Sequence, residues 1–213
     1  RFDGVNGIAA NNIAMWDGNA WGPVGSGTND WVFTLLASSD ALYAGGDFTS
    51  AGGITTNGIA KWSGTSWSAL GAGLGKSVVS LAISGTDLYA GGSFQIPASA
   101  PSTGLYAAKW DGASWSPMNG FTSYYGSRVS AFAVVGSTVY AGGRFYNQTT
   151  GMIQGGVRRW DGTNWSAMGS PMSGAPAALL PCGEGLFVGG GFTQAGGKVS
   201  AYLALAKIPV PEI

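Results

Sequence analysis

The sequence predicts an all-β fold of repeated four-stranded antiparallel sheets, and three observations carry that prediction. One phrase recurs four times, as Leu42–Phe48 (Leu-Tyr-Ala-Gly-Gly-Asp-Phe), Leu88–Phe94, Val139–Phe145 and Leu186–Phe192. A second alternates with it, as Trp16–Trp21 (Trp-Asp-Gly-Asn-Ala-Trp), Trp62–Trp67, Trp110–Trp115 and Trp160–Trp165. The first tryptophans stand at 16, 62, 110 and 160, so the repeat is 46, 48 and then 50 residues long. The third observation is local. Short apolar runs are punctuated by Gly, Ser, Asn or Pro, and no window sustains a 3.6-residue period.

Taken in order, Arg1-Phe2 fits the tail of a Gly-Gly-x-Phe phrase, because Phe2 precedes Trp16 by 14 residues, as Phe48 precedes Trp62. Residues 11–25 then supply the third and fourth strands of a unit. Complete units follow at about 31–70, 77–118 and 128–168. In the second of these the four strands are Val78–Ser84, Leu88–Phe94, Leu105–Trp110 and Ser114–Met118. The first strand of each unit is apolar nearly throughout (Val32–Ala37, Val78–Ile83, Val129–Val135), which predicts burial on both faces. The Trp-Asp-Gly-x-x-Trp phrase predicts a hairpin whose Asp-Gly supplies the turn and whose tryptophans pack across it. The paired glycines, lacking Cβ, allow a backbone or a ring to approach closely. Residues 176–208 supply three more strands. There Ala204–Ile208 echoes Gly58–Trp62 and puts Ile208 in the tryptophan place.

A four-stranded sheet cannot bury both faces alone, whereas sheets stacked side by side can. The expected architecture is one domain over residues 1–213, a β-propeller of about four blades. The repeat units are approximately 1–47, 48–93, 94–144, 145–191 and a partial 192–213. A β-solenoid fits less well, since its repeats are shorter and its strands parallel. If both chain ends contribute to one blade, a third-position strand is left over, either 11–16 or 201–208. Three arrangements follow: a closed ring with a spare strand, a piece of a longer array, or a subunit that exchanges the spare strand with a neighbour. Tyr202, Leu203, Leu205 and Ile208 form the candidate assembly strand, because an unpaired strand edge is a template for addition.

The phrase Tyr43–Thr49 through Ile59–Gly64 resembles the kelch-type propeller repeat. It is more similar still to secreted bacterial propeller repeats, the delta-60 repeats and the fungal Rax2-like cortical marker proteins. The resemblance spans essentially the whole chain. It implies a propeller fold and an extracellular or cell-surface location. Kelch propellers also include copper-radical galactose oxidases, but those need histidine ligands and this sequence has none.

Composition narrows the function. Ten basic and ten acidic residues give zero net charge, and only 9% of residues are charged, so nucleic acid is not an expected partner. The same neutrality leaves little self-repulsion against association. The absence of histidine removes histidine-based triads and metal sites, and the single Cys182 cannot form an internal disulfide. No apolar run reaches the ~18 residues of a membrane helix. No cofactor is expected. Asp17, Asp111 and Asp161 recur at the same place in the repeat and read as turn residues, not as a catalytic pair.

Trp31 stands apart from the tryptophan pairs, in a connection between units. The equivalent connection between Trp115 and Phe145 spans 30 residues where the others span 27, and it holds Tyr124 and Tyr125. These three aromatics are the candidate ligand-loop residues. Asn147 and Asn164 begin the two Asn-x-Ser/Thr sequons, and Asn147, in a polar loop, is the better glycosylation candidate. The expected role is a non-catalytic structural or interaction one at the cell surface. Its partners would be further copies of the chain or other surface proteins, with self-assembly through terminal strand exchange. The alternative is a carbohydrate-binding, lectin-like propeller that uses Trp31, Tyr124 and Tyr125.

Overall fold

The structure, a computed structural model, describes residues 1–75, 77–94, 96, 105–121 and 126–208. Every regular element among them is a strand. Two hairpins come first, β1 (Gly4–Val5) with β2 (Ile8–Ala9) and β3 (Ala14–Trp16) with β4 (Trp21–Pro23). The first complete sheet contains β5 (Val32–Ala37) and β6 (Leu42–Gly46). A small hairpin of β7 (Ser50–Ala51) and β8 (Ile54–Thr55) intervenes before β9 (Ile59–Trp62) and β10 (Trp67–Ala69) complete it. The second comprises β11 (Val78–Ser84), β12 (Asp87–Phe94), β13 (Leu105–Trp110) and β14 (Trp115–Pro117). The third comprises β15 (Arg128–Val135), β16 (Thr138–Asn147), β17 (Met152–Trp160) and β18 (Trp165–Ala167). In each, antiparallel strands lie side by side in chain order. Last come β19 (Pro176–Cys182), β20 (Gly185–Gly190), the hairpin of β21 (Gln194–Ala195) and β22 (Lys198–Val199), and β23 (Leu203–Lys207). Strands β19, β20 and β23 make a three-stranded sheet.

The two predicted phrases form the predicted local structures. Trp16 pairs directly with Trp21, Trp62 with Trp67, Trp110 with Trp115 and Trp160 with Trp165. Their ring centroids lie 5.1–5.6 Å apart in tilted pairs. At three of the four turns an aspartate carboxylate accepts two backbone N–H groups. Asp111 Oδ1, for example, takes those of Ala113 and Ser114, both at 2.8 Å. Ser63 fills the same place with longer bonds, 3.4 Å and 3.2 Å to Thr65 and Ser66. The glycine that follows has a positive φ in all four turns, 98–106°.

The echo at the C-terminus is corrected by two residues. Leu42 pairs with Trp62, Leu88 with Trp110 and Val139 with Trp160, and the equivalent Leu186 pairs with Ala206. Ala206, not Ile208, therefore occupies the tryptophan place. The reason is the intervening hairpin. It turns at Gly52-Gly53 in one unit and at Gly196-Gly197 in the other, both pairs at positive φ. The distance from the phrase-ending Phe to the end of the third strand is thus held at 14 residues, Phe48 to Trp62 and Phe192 to Ala206. Ile208 lies beyond the paired strand, buried, with its N–H on Glu184 O at 3.0 Å.

The sheets pack face to face in chain order, with β5 beside β11, β11 beside β15 and β15 beside β19. Each interface has its own apolar cluster. Ile59, Leu70 and Leu74 meet Val78, Leu81 and Leu88 at the first. Ala82, Tyr89 and Ala107 meet Val129 and Phe132 at the second. Ala133, Tyr140 and Val157 meet Leu186 and Val188 at the third.

The two glycines of each phrase have different tasks. A Cβ on Gly45 would stand 2.6 Å from Val78 Cγ1, and one on Gly91 2.6 Å from Val129 Cγ1, both on the next sheet. A Cβ on Gly46 or Gly92 would strike the carbonyl oxygen of Trp31 or Ser77, where the sheet's own first strand bulges. The first glycine is a socket for the neighbour and the second makes room for a bulge.

Burial of the first strands on both faces holds for β11 and β15, which have neighbours on each side. It fails for β5, where Phe33 and Leu35 are exposed, and for β19, where Leu180 is exposed. Apolar pattern alone cannot distinguish an inner strand from one at the end of a stack.

Two predictions follow from this packing and these turns. Gly91→Val overfills a closed interface and should cost about 1–3 kcal/mol, read as a Tm several degrees lower by calorimetry. The carboxylates of Asp17, Asp111 and Asp161 are held below their ordinary value of 3.8, chiefly by the backbone N–H groups of Ala20, Ser114 and Asn164. A lowered folded value means stability present above the ordinary value and lost as pH falls below it. Thermal melts should therefore show Tm dropping from about pH 4 downward, and the drop should shrink in a variant with all three changed to Asn.

Candidate functional site

The position that faces the next sheet from the third strand is Ile59, Ala107, Val157 and Leu203 in successive sheets. The first three are buried, but Leu203 is 59% exposed. The position that faces the previous sheet from the first strand is Leu35, Leu81, Phe132 and Leu179. Leu81 and Phe132 are buried and Leu179 is packed in the third cluster, but Leu35 is 53% exposed. Among the described residues two apolar sheet faces are thus uncovered, each equivalent to a surface that is covered inside the stack.

The C-terminal face carries Leu180, Phe187, Gly189, Leu203 and Leu205. Its socket is open: a Cβ on Gly189 would meet nothing nearer than Ala178 Cβ and Tyr202 O, both at 3.9 Å. The N-terminal face is half covered. The β3–β4 hairpin buries Ile13 and Val24 against Ala44, Ala60 and Trp67, and Trp67 Nε1 donates to Val24 O at 3.0 Å. Trp115 Nε1 makes the same bond to Leu70 O at 2.9 Å, one interface along. Beside β3 lies an apolar cleft of about 600 Å³, lined by Phe2, Val5, Ile13, Trp21, Val32 and Leu35.

The candidate assembly strand is paired within the chain, as β23 on β20. Leu203, Leu205 and Tyr202 are exposed on it, whereas Ile208 is buried. Tyr202 takes φ +68°, a left-handed conformation, at the place where Gly58 (φ +86°) and Asn12 (φ +61°) stand in other units. All three donate N–H to the carbonyl of the phrase-ending Phe, Tyr202 to Phe192 at 2.8 Å. A tyrosine in this region is strained, while Gly or Asn is not.

Trp31 is 48% exposed and its ring lies 6.3 Å from that of Phe33, so it belongs to the rim of the N-terminal face. Tyr124 and Tyr125 lie outside the described residues. A polar cleft of about 770 Å³ contains Asn11, Asn12 and Asn29. Their amides are engaged locally: Asn12 donates to Thr28 O and Asn29 to Thr49 Oγ1, both at 2.8 Å. Asn147 is half-buried. Its amide donates to Gln154 Oε1 and its carbonyl accepts from Thr149 N–H. Asn164 is exposed at its turn and is the more accessible of the two sequon asparagines. Cys182 is exposed at the end of β19.

Sequence reasoning missed the faces themselves. A signal was present. The internal third strands carry Lys61, Lys109 and Arg159 opposite the aromatic of the phrase, and the terminal ones carry Met15 and Leu205 in that place. The cations of the inner sheets are replaced by apolar side chains in β3 and β23.

No protein-family model and no curated protein sequence matches this chain. Among solved structures it is similar to the computationally designed Ika4 protein. The TM-score is 0.51 at 14% identity, covering 86% of this chain and 94% of that one. It also aligns with the extracellular domain of a protein described as a one-component system from B. thetaiotaomicron. There the TM-score is 0.32 at 11% identity, over 90% of this chain and 35% of that one. The first likeness supports the all-β fold and nothing further. Among the described residues no helix is long and apolar enough to cross a membrane.

Relief of the strain at Tyr202 is measurable. Tyr202→Gly should raise stability by about 1 kcal/mol, seen as a higher denaturation midpoint with an unchanged slope.

Proposed function

We propose that this chain is a non-catalytic, propeller-type scaffold of the cell surface or extracellular space that works by self-association. The observation that carries the reading is the pair of uncovered apolar sheet faces, Leu35 and its cleft at one end and Leu180, Leu203 and Leu205 at the other. Exposed contiguous apolar surface on a protein of zero net charge favours association. The recurring aspartates support a non-catalytic role, since Asp17, Asp111 and Asp161 are engaged in turns. The kelch-like phrases and the face-to-face stacking of sheets support the propeller reading, with about four blades per chain. The surface location rests on the resemblance of the repeats to secreted families.

The test is the native mass of the purified chain, joined to negative-stain images of the same sample. A defined multiple of 21.5 kDa with ring-shaped or filamentous particles is the expected result. A 21.5 kDa monomer at all concentrations overturns the self-association.

The carbohydrate-binding alternative rests on one observation, the exposed indole of Trp31 tilted beside Phe33. It requires glycan-array binding that Trp31→Ala abolishes.

A further inference from the structure

The two end faces are complementary to each other, because each reproduces one side of an interface the chain builds three times. Inside the stack, Val78 and Leu81 of one sheet enter the socket over Gly45, beside Leu36, Tyr43 and Ile59 of the preceding sheet. At the ends, exposed Leu35 is the open knob, with half-buried Val32 beside it. Gly189, with Leu180 and Phe187 on β19 and β20, is the open socket.

The edges are complementary as well. β20 holds β23 as its third strand, and β3 is paired on one side only among the described residues. The register of the complete sheet sets Gly45 opposite Ile59, Ala44 opposite Ala60 and Leu42 opposite Trp62. The same register sets Gly189 opposite Ile13, Val188 opposite Ala14 and Leu186 opposite Trp16, so β3 matches the repeat pattern where β23 does not. β23 offers Ala206 in the tryptophan place, has no fourth strand beyond it among the described residues, and is entered through the strained Tyr202.

We propose that copies of this chain assemble head to tail. The β3–β4 hairpin and the Leu35 knob of one copy dock on β19–β20 of a second, and β3 replaces β23 as the partner of β20. The inference rests on the self-association reading and specifies its geometry. A four-stranded sheet is then completed from two chains, with the first two strands from one and the last two from the other. Trp21 takes the place at this junction that Trp67 and Trp115 hold at internal ones, with its Nε1 toward the carbonyl of Met168 in the second copy. The contact is heterologous, so repetition yields a closed ring or a filament.

Two variants test the docking without disturbing the isolated chain, because both sites are open. Leu35→Asp disables the knob face. Gly189→Val fills the socket, where the nearest atoms lie at 3.9 Å. Sedimentation should show the wild-type chain as an oligomer and each variant weakened in self-association by at least about tenfold, with unchanged circular dichroism. An equimolar mixture of the two variants should form a dimer of twice 21.5 kDa and stop, since only one good knob face and one good socket remain. In that dimer, amides of Leu203–Lys207 should exchange faster in the Leu35→Asp chain, while those of β20 stay protected.

A wild-type chain that remains monomeric overturns this proposal and the self-association reading together. A monomer whose Tm falls on Gly189→Val shows closure within one chain and likewise overturns it. Wild-type oligomers with no dimer in the mixture overturn the docking alone. Unchanged protection of β23 in the mixed dimer overturns the strand replacement.

Discussion

The seating of one sheet's first strand over a glycine of the preceding sheet is the contact on which this structure depends. With no Cβ at Gly45, Gly91 and Gly142, the side chains of Val78, Val129 and Pro176 come down onto bare backbone. Sheets approach closely enough there for Leu81, Phe132 and Leu179 to fill the space alongside. Dispersion and the hydrophobic effect both reward that closeness, and both decline quickly when a gap opens. The remaining features arrange the chain around this contact. The second glycine accommodates the bulge that aims the knob, and Trp67 and Trp115 tie their hairpins to the previous one through Val24 O and Leu70 O.

A repeat built this way has an inherent end problem. Each sheet presents a knob side and a socket side, and a linear run always leaves one of each unused. Edge strands and open faces in β proteins are commonly blunted with charge or proline. This chain does the reverse, with Met15 and Leu205 where inner sheets carry Lys61, Lys109 and Arg159. The ends therefore have the chemistry of an interior.

Local order was legible in the sequence where the chemistry is local. The Asp-Gly turns, the paired tryptophans and the four-strand units all follow from residues within a few positions of one another, whereas the small hairpins at Gly52-Gly53 and Gly196-Gly197 emerged only in the structure. The C-terminal register was misread by two residues because the echo Ala204–Ile208 looked like Gly58–Trp62. The hairpin length, not the resemblance of side chains, fixes which residue lands opposite Leu186. The candidate residues were partly legible. Leu203 and Leu205 stood out as apolar, but Ile208 turns inward, and Leu35 and Gly189 looked the same as their buried equivalents.

The all-β class, the repeat length, the four principal strands of each complete unit and the turn chemistry were already present in the sequence. All of these are encoded in spacing and in the conformational limits of single residues. Only the tertiary structure decided which copies of the repeat are covered and which are bare. That depends on whether a sheet has a neighbour, and position in a stack is not written in any one repeat.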